Sequence, residues 1–162
     1  MSLLADIGQT YVAPAAVIRK LAAKRPPERI LLGYLLAACL VALAVRLPRQ
    51  LSNDTLVGDG KMAGFVAANL VAGLIFAPLF LYFLAQLSHW GARLMGGGKD
   101  SYAGRLALFW SLFALQPVVA LIELYDAYAP TGLPVWPVSG GGAIYFMVVW
   151  LVSLYTLETD SS

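Results

Sequence analysis

The sequence predicts an all-α, polytopic transmembrane helical bundle, with four spans preceded by a short N-terminal interfacial helix. Three observations point there. Four long apolar stretches run Ile30–Leu47, Met62–Leu87, Leu106–Tyr125 and Ala143–Leu157, and a hydrocarbon core about 30 Å thick needs ~20 predominantly apolar residues to cross it as a helix. Apolar residues make up 60% of the 162-residue chain and charged residues only 12%, against roughly 45–50% and ~25% in soluble domains. A soluble fold of this length could not cover so much apolar surface. The basic residues, finally, are unevenly placed between the stretches, as in loops sorted across a membrane.

The first stretch is flanked by Arg29 and Arg46, whose stems can lie in hydrocarbon while their heads reach the headgroups. It carries small residues at Gly33, Ala37, Ala38 and Ala42. The second places Gly64, Ala68 and Ala72 four residues apart, followed by Gly73 and Ala77. That spacing shares one helix face, and small side chains let another helix approach closely. Gly64, Ala68, Ala72 and Gly73 are therefore the expected helix-packing positions. Pro78 and Pro117 each remove a backbone donor and are expected to kink spans two and three. The fourth stretch reaches spanning length only with its glycine-rich lead-in, Val138–Gly142. The segment Pro130–Gly142, with Pro134, Pro137 and three consecutive glycines, is expected to be an irregular loop. Trp136 would anchor it at the membrane surface, and Trp90, Tyr125 and Tyr128 also fall near boundaries, as interfacial aromatics do.

Arg19, Lys20, Lys24, Arg25 and Arg29 precede span one, and Arg93, Lys99 and Arg105 lie between spans two and three. The first outer loop carries Arg46, Arg49 and Lys61, offset by Asp54 and Asp59, and Asp126–Gly142 has no basic residue. With basic loops retained inside, both termini are expected in the cytoplasm. Residues 1–29 form a cytoplasmic N-terminal segment, 30–157 the four-span domain, and 158–162 a short cytoplasmic tail. Met1–Arg29 lacks the basic, apolar and small-residue order of a secretory signal, so span one is expected to act as an uncleaved signal. Within that segment Pro14 suits the first turn of a helix. Apolar Val17, Ile18 and Leu21 then alternate with basic Arg19, Lys20, Lys24 and Arg25. These four bases are the expected lipid-surface residues of a helix lying on an anionic leaflet. The alternative is a flexible basic topology signal. Pro26-Pro27 would end the helix before span one.

Chemistry-bearing residues are few. One Cys (Cys39) and one His (His89) argue against an internal disulfide and against a dedicated metal or haem site; no cofactor is expected. His89, beside Trp90 and without a Ser, Cys or carboxylate pattern, reads as a surface histidine rather than a general base. Gly96-Gly97-Gly98-Lys99-Asp100-Ser101 lacks the spacing of a phosphate loop and reads as a tight turn, with Asp100 or Ser101 capping span three. Asn69, Gln116 and Glu123 form the candidate polar pathway, since intramembrane polar groups are functional candidates. Asn69 and Gln116 read more readily as helix–helix hydrogen-bond partners than as substrate ligands, Gln116 also compensating the backbone at Pro117. Glu123 reads as an interfacial carboxylate paired with Arg46 or Arg49.

Leu87–Val119 contains Leu-Ser-His-Trp-Gly-Ala-Arg-Leu-Met-Gly-Gly-Gly-Lys-Asp-Ser-Tyr and, further on, Phe-Trp-Ser-Leu-Phe-Ala-Leu-Gln-Pro-Val-Val. A basic turn with paired glycines after span two and a proline within span three resembles the bacterial branch of the Yip1 family. The opening Thr10-Tyr11-Val12-Ala13-Pro14-Ala15-Ala16-Val17-Ile18, followed by a basic stretch, is similar too. The resemblance covers Thr10 to Leu157. It implies a small polytopic helical protein without recognised catalytic residues. Eukaryotic members act in membrane trafficking through partner proteins and small GTPases. The family usually has five spans, whereas four are legible here.

Two classes of function follow. The first is a non-enzymatic accessory, scaffold or assembly component of a bacterial cytoplasmic (inner) membrane. Its partners would be membrane lipids and other membrane subunits or further copies of itself, with no nucleic acid. The second is a small oligomeric transporter or channel, its pathway lined by Asn69, Gln116 and Glu123.

Overall fold

The computed structural model describes residues 3–51, 61–94, 101–128 and 136–160. Two short helices, α1 (Leu3–Thr10) and α2 (Pro14–Lys24), precede a long α3 (Glu28–Leu51). Then come α4 (Met62–Val71), a π-helical turn (Ala72–Phe76) and α5 (Ala77–Leu94) as one continuous rod. α6 (Ser101–Ala114), α7 (Gln116–Tyr128) and α8 (Trp136–Asp160) complete the described chain. Among the described residues four stretches are long and apolar enough to cross a membrane: Glu28–Pro48, Met62–Gly91, Ser101–Asp126 and Pro137–Thr159. The protein is a multi-pass helical membrane protein. The glycine turn 96–98, Lys99 and Asp100, the loop acids Asp54 and Asp59, and Pro130 and Pro134 lie outside the described residues.

α6 is the axis of the bundle. Leu106, Ala107, Leu108, Phe109 and Trp110 are buried in succession, with Ala103, Gly104, Ser111 and Ala114. A helix apolar on every side needs neighbours all round, and α3, α5 and α8 pack against this one. Tyr34 meets Trp110 edge-on at 5.3 Å between ring centroids, and Tyr82 meets Phe109 at 4.7 Å. Lipid tails are as apolar as these side chains, so close packing rather than escape from water holds the helices together.

Pro78 and Pro117 each lie at an irregularity of the helical hydrogen-bond ladder. The π turn comes just before Pro78, and Ala77 donates its N–H back to Ala72, five residues earlier. Pro117 separates α6 from α7, and Val118 turns its N–H to the Leu115 carbonyl at 2.9 Å. Pro48, in contrast, lies inside α3, which continues to Leu51.

Three expectations need correction. Trp136–Gly142 is not irregular but the opening of α8. Pro137 stands in the first turn, where no N–H is required. In hydrocarbon the backbone must bond to itself, which outweighs a glycine penalty of ~1 kcal/mol per residue. Gly142 also has a packing role: a Cβ there would lie 2.7 Å from Ile122 Cδ1. Second, Gly64, Ala68 and Ala72 are exposed within this chain; a Cβ at Gly64 would enter open space, whereas one at Gly73 would lie 3.9 Å from Leu43 Cδ2 of α3. Spacing shows that positions share a face, not which face. Third, the close backbone approach that small residues were expected to provide in span two occurs at Gly104 instead, where a Cβ would sit 3.0 Å from the Ala85 carbonyl.

A matched pair of substitutions tests that contact. Gly104→Ala pushes a methyl group against backbone that cannot swing aside, and should cost about 1–3 kcal/mol through overpacking. Gly33→Ala enters open space and should be neutral or slightly stabilising through helix propensity. Thermal melting in mild detergent separates the two; equal melting points would show that α5 and α6 are not in close contact at Gly104.

Candidate functional site

The two N-terminal helices pack on the bundle, and the apolar side of α2 is covered by protein. Val17, Ile18 and Leu21 are 1%, 0% and 5% exposed, because α2 packs on α8 and α6. The stripe assigned to lipid is thus covered by protein, while Arg19, Lys24 and Arg25 remain exposed. Pro14–Lys24 is helical as expected, and Arg25 ends it in the left-handed conformation (φ 40°). The addition is α1, which folds back along α2 as a hairpin. Lys20 Nζ donates to Asp6 Oδ1 and joins the two arms. That bond is the main cause holding the Asp6 carboxyl below its usual range, against the opposing effect of burial.

The hairpin's tip is tied to α6. Trp110 Nε1 donates to Thr10 Oγ1 at 3.1 Å, and Thr10 in turn donates to the Asp6 carbonyl at 2.8 Å. Tyr11 donates its hydroxyl to the Ala114 carbonyl at 2.7 Å, in the turn opened by Pro117, and its ring stacks on Tyr145. A neighbouring side chain thus bonds backbone beside a proline break, as membrane helices require. Gln116 helps from the other side of the break, donating Nε2 to the Leu112 carbonyl at 2.9 Å. A void of about 10 Å³ bordered by Thr10, Tyr11, Ser111 and Tyr145 has room for about one water.

Two ion pairs place this tip along the membrane normal. Arg105 Nε lies 3.0 Å from Glu28 Oε1, which also accepts from Tyr82 at 3.2 Å. Arg46 Nε donates to Glu123 Oε1 at 2.8 Å. Eighteen residues separate Glu28 from Arg46, and eighteen separate Arg105 from Glu123. At ~1.5 Å per residue both intervals are about 27 Å, close to the hydrocarbon thickness. Ala114, nine residues beyond Arg105, is then about 13 Å in, near the midplane. At the near end, Tyr102 donates to the Pro26 carbonyl at 2.9 Å, and the Arg25 guanidinium lies 5.8 Å from the Tyr102 ring centre. α2 therefore runs alongside α6, from beside Ala114 to beside Tyr102.

The second notable feature is a cleft of about 330 Å³ between spans one and two. Cys39, Ala42, Leu43 and Arg46 line it from α3, and Asn69, Ala72, Gly73 and Ala77 from the rod opposite. The α3 residues follow the helical i, i+3, i+4, i+7 pattern of one face. Of the candidate polar pathway, Asn69 lines the cleft and Glu123 holds its wall residue Arg46, whereas Gln116 does not border it. Asn69 donates Nδ2 to its own helix, at the Phe65 carbonyl 2.9 Å away. The expected Glu123–Arg46 pair is present.

His89 corrects another expectation. It is 3% exposed, and its Nδ1 lies 3.4 Å from Oε1 of Glu158, itself 5% exposed. Span two thereby meets the end of span four. Sequence reasoning assigned Glu158 to the tail, because nothing local marks a contact between residues so far apart in the chain. Ser88, next to His89, uses its hydroxyl on the Leu84 carbonyl at 2.6 Å rather than on the imidazole. Among the described residues no three His, Cys, Asp or Glu side chains gather as metal ligands. Comparison with protein families, characterised proteins and solved structures gave no match to this chain.

Two outcomes follow for the hairpin. A double-mutant cycle of Thr10→Val and Trp110→Phe should give a coupling of about 0.5–1.5 kcal/mol, that of one buried hydrogen bond; additive effects would show that the tip is not tied to α6. The Asp6–Lys20 link should also depend on pH. A carboxyl with a depressed folded pKa contributes fully above its unfolded value, about 3.9, and loses that contribution as pH falls through the lower folded value. A spin label at position 4 should gain mobility in acid, and Asp6→Asn should remove the pH dependence.

Proposed function

We propose that this protein is a non-enzymatic, Yip1-like integral membrane protein of a bacterial cytoplasmic membrane, acting as an accessory or assembly component through helix and lipid contacts. The observation carrying this reading is the filled interior. Trp110, Phe109, Leu106 and Leu108 are 0–1% exposed, and the hairpin tip reaches the midplane beside them. The void left there is about 10 Å³, room for about one water and not for a solute path. The outward faces support the same reading: 11% of the span-two window is buried against 44% of span three. Exposed Ile75, Phe76, Leu79, Phe80 and Phe83 present a broad apolar surface to lipid or to another subunit.

The uneven basic residues support an orientation with both termini in the cytoplasm. Reporter fusions should place position 162 inside and position 136 outside; ends on opposite sides would rule out this topology. Purified protein in liposomes should move no solute, and mild extraction should recover it with lipid or protein partners. The transporter reading gains ground if a solute crosses and Glu123→Gln stops it without loss of folding.

A further inference from the structure

We infer that the cleft between spans one and two is a phospholipid site, with an acyl chain between the helices and the lipid phosphate on Arg46. The inference rests on the lipid-contact reading above and names the site. At about 330 Å³ the cleft is at the lower end of the range for small-molecule pockets, ~300–1,000 Å³. From Arg46 down to Cys39 is seven residues, about 10 Å of depth, so the cleft runs from the boundary into hydrocarbon as an acyl chain does. Small residues leave it open: Ala42 on one wall, Ala72, Gly73 and Ala77 on the other. The π turn lies in that second wall, and such turns in helices accompany functional sites.

The headgroup end carries the specificity. The Arg46 side chain is 55% exposed, and Glu123 engages its Nε. Among the described residues nothing accepts a hydrogen bond from its four terminal N–H groups. The carboxylate thus fixes the guanidinium in place while leaving a planar pair of donors, the geometry that grips phosphate through two parallel bonds. Arg46 stands at the boundary of the apolar interval, where lipid phosphates lie.

Native mass spectrometry of the full chain in mild detergent tests this. With added phosphatidylglycerol the expected species is one chain carrying one lipid, and diacylglycerol of the same chain length, lacking phosphate, should be retained about tenfold less. Arg46→Gln should reduce phospholipid retention about tenfold, and Ala42→Phe should abolish it by filling the cleft, with melting points checked for both. Glu123→Gln removes the ion pair but leaves the guanidinium, and should keep the lipid. Equal retention of diacylglycerol, lipid bound undiminished by Arg46→Gln, loss in Glu123→Gln matching that in Arg46→Gln, or a lipid-free dimer would each overturn the proposal. Solute flux in liposomes with lipid binding intact would count against the accessory function alone.

Discussion

A backbone N–H or C=O left facing acyl chains costs several kcal/mol, and most of what is unusual in this chain answers that cost. It keeps Trp136–Gly142 helical through three glycines. It explains why the break at Pro117 is surrounded by donors, with Gln116 on the Leu112 carbonyl and Tyr11 on the Ala114 carbonyl. It explains too why a hairpin of two short helices can reach the midplane at all. The turn between α1 and α2 bonds within itself, and its flanking Thr10 and Tyr11 reach Trp110, Ala114 and Tyr145 while Val12 is exposed.

The ion pairs mark the ends of the same apolar interval. α3 carries its acid at the near end and its base at the far end, and α6–α7 the reverse, so two helices running in one direction are matched at both boundaries. Such pairs are partly exposed and screened, and each contributes ~0–1 kcal/mol. Their value is more in register than in strength. A one-turn slip would move a charge about 5 Å into hydrocarbon, where ionised groups are expensive. His89–Glu158 is different in kind, since both partners are buried. Removing either partner would leave a buried polar atom of the other without that contact.

Much of this was legible in the sequence, and the exceptions share a cause. The four spans are visible because a bilayer reads length and apolarity, and those are local. Pro78 and Pro117 are visible because a missing N–H is local as well. The Arg46–Glu123 pair could be anticipated because both residues stand at span ends, where topology alone brings them to one boundary. The site of α2 could not. Val17, Ile18 and Leu21 form the same stripe whether they meet lipid or α8, since both are apolar. Gly64, Ala68 and Ala72 pose the same ambiguity, and there the exposed answer holds within the chain. His89 and Glu158 meet only because spans two and four end together, which no spacing encodes. Thr10 and Trp110 were the available clue to the hairpin, being groups that need partners if placed in hydrocarbon, but neither indicates the other.

The distribution of packing follows from how each element is held. α6 is enclosed, and α2 and α8 close over it through buried apolar residues and the hydrogen bonds of Thr10 and Tyr11. The rod of span two meets α6 through its later half, where Ala85 and His89 are buried, and meets α3 along its length, most closely through the π turn. Its earlier half is less covered: Gly64, Ala68 and Ala72 are exposed, and the cleft lies between Asn69 and Arg46. The π turn lies at the junction of these two halves, and its extra residue shifts the face that each presents. A helix that meets one neighbour closely and the other across small residues leaves space along the second contact. In hydrocarbon, filling that space gains contacts without any gain from excluding water, so the occupant is selected by shape and by the one polar group at the mouth, the Arg46 guanidinium.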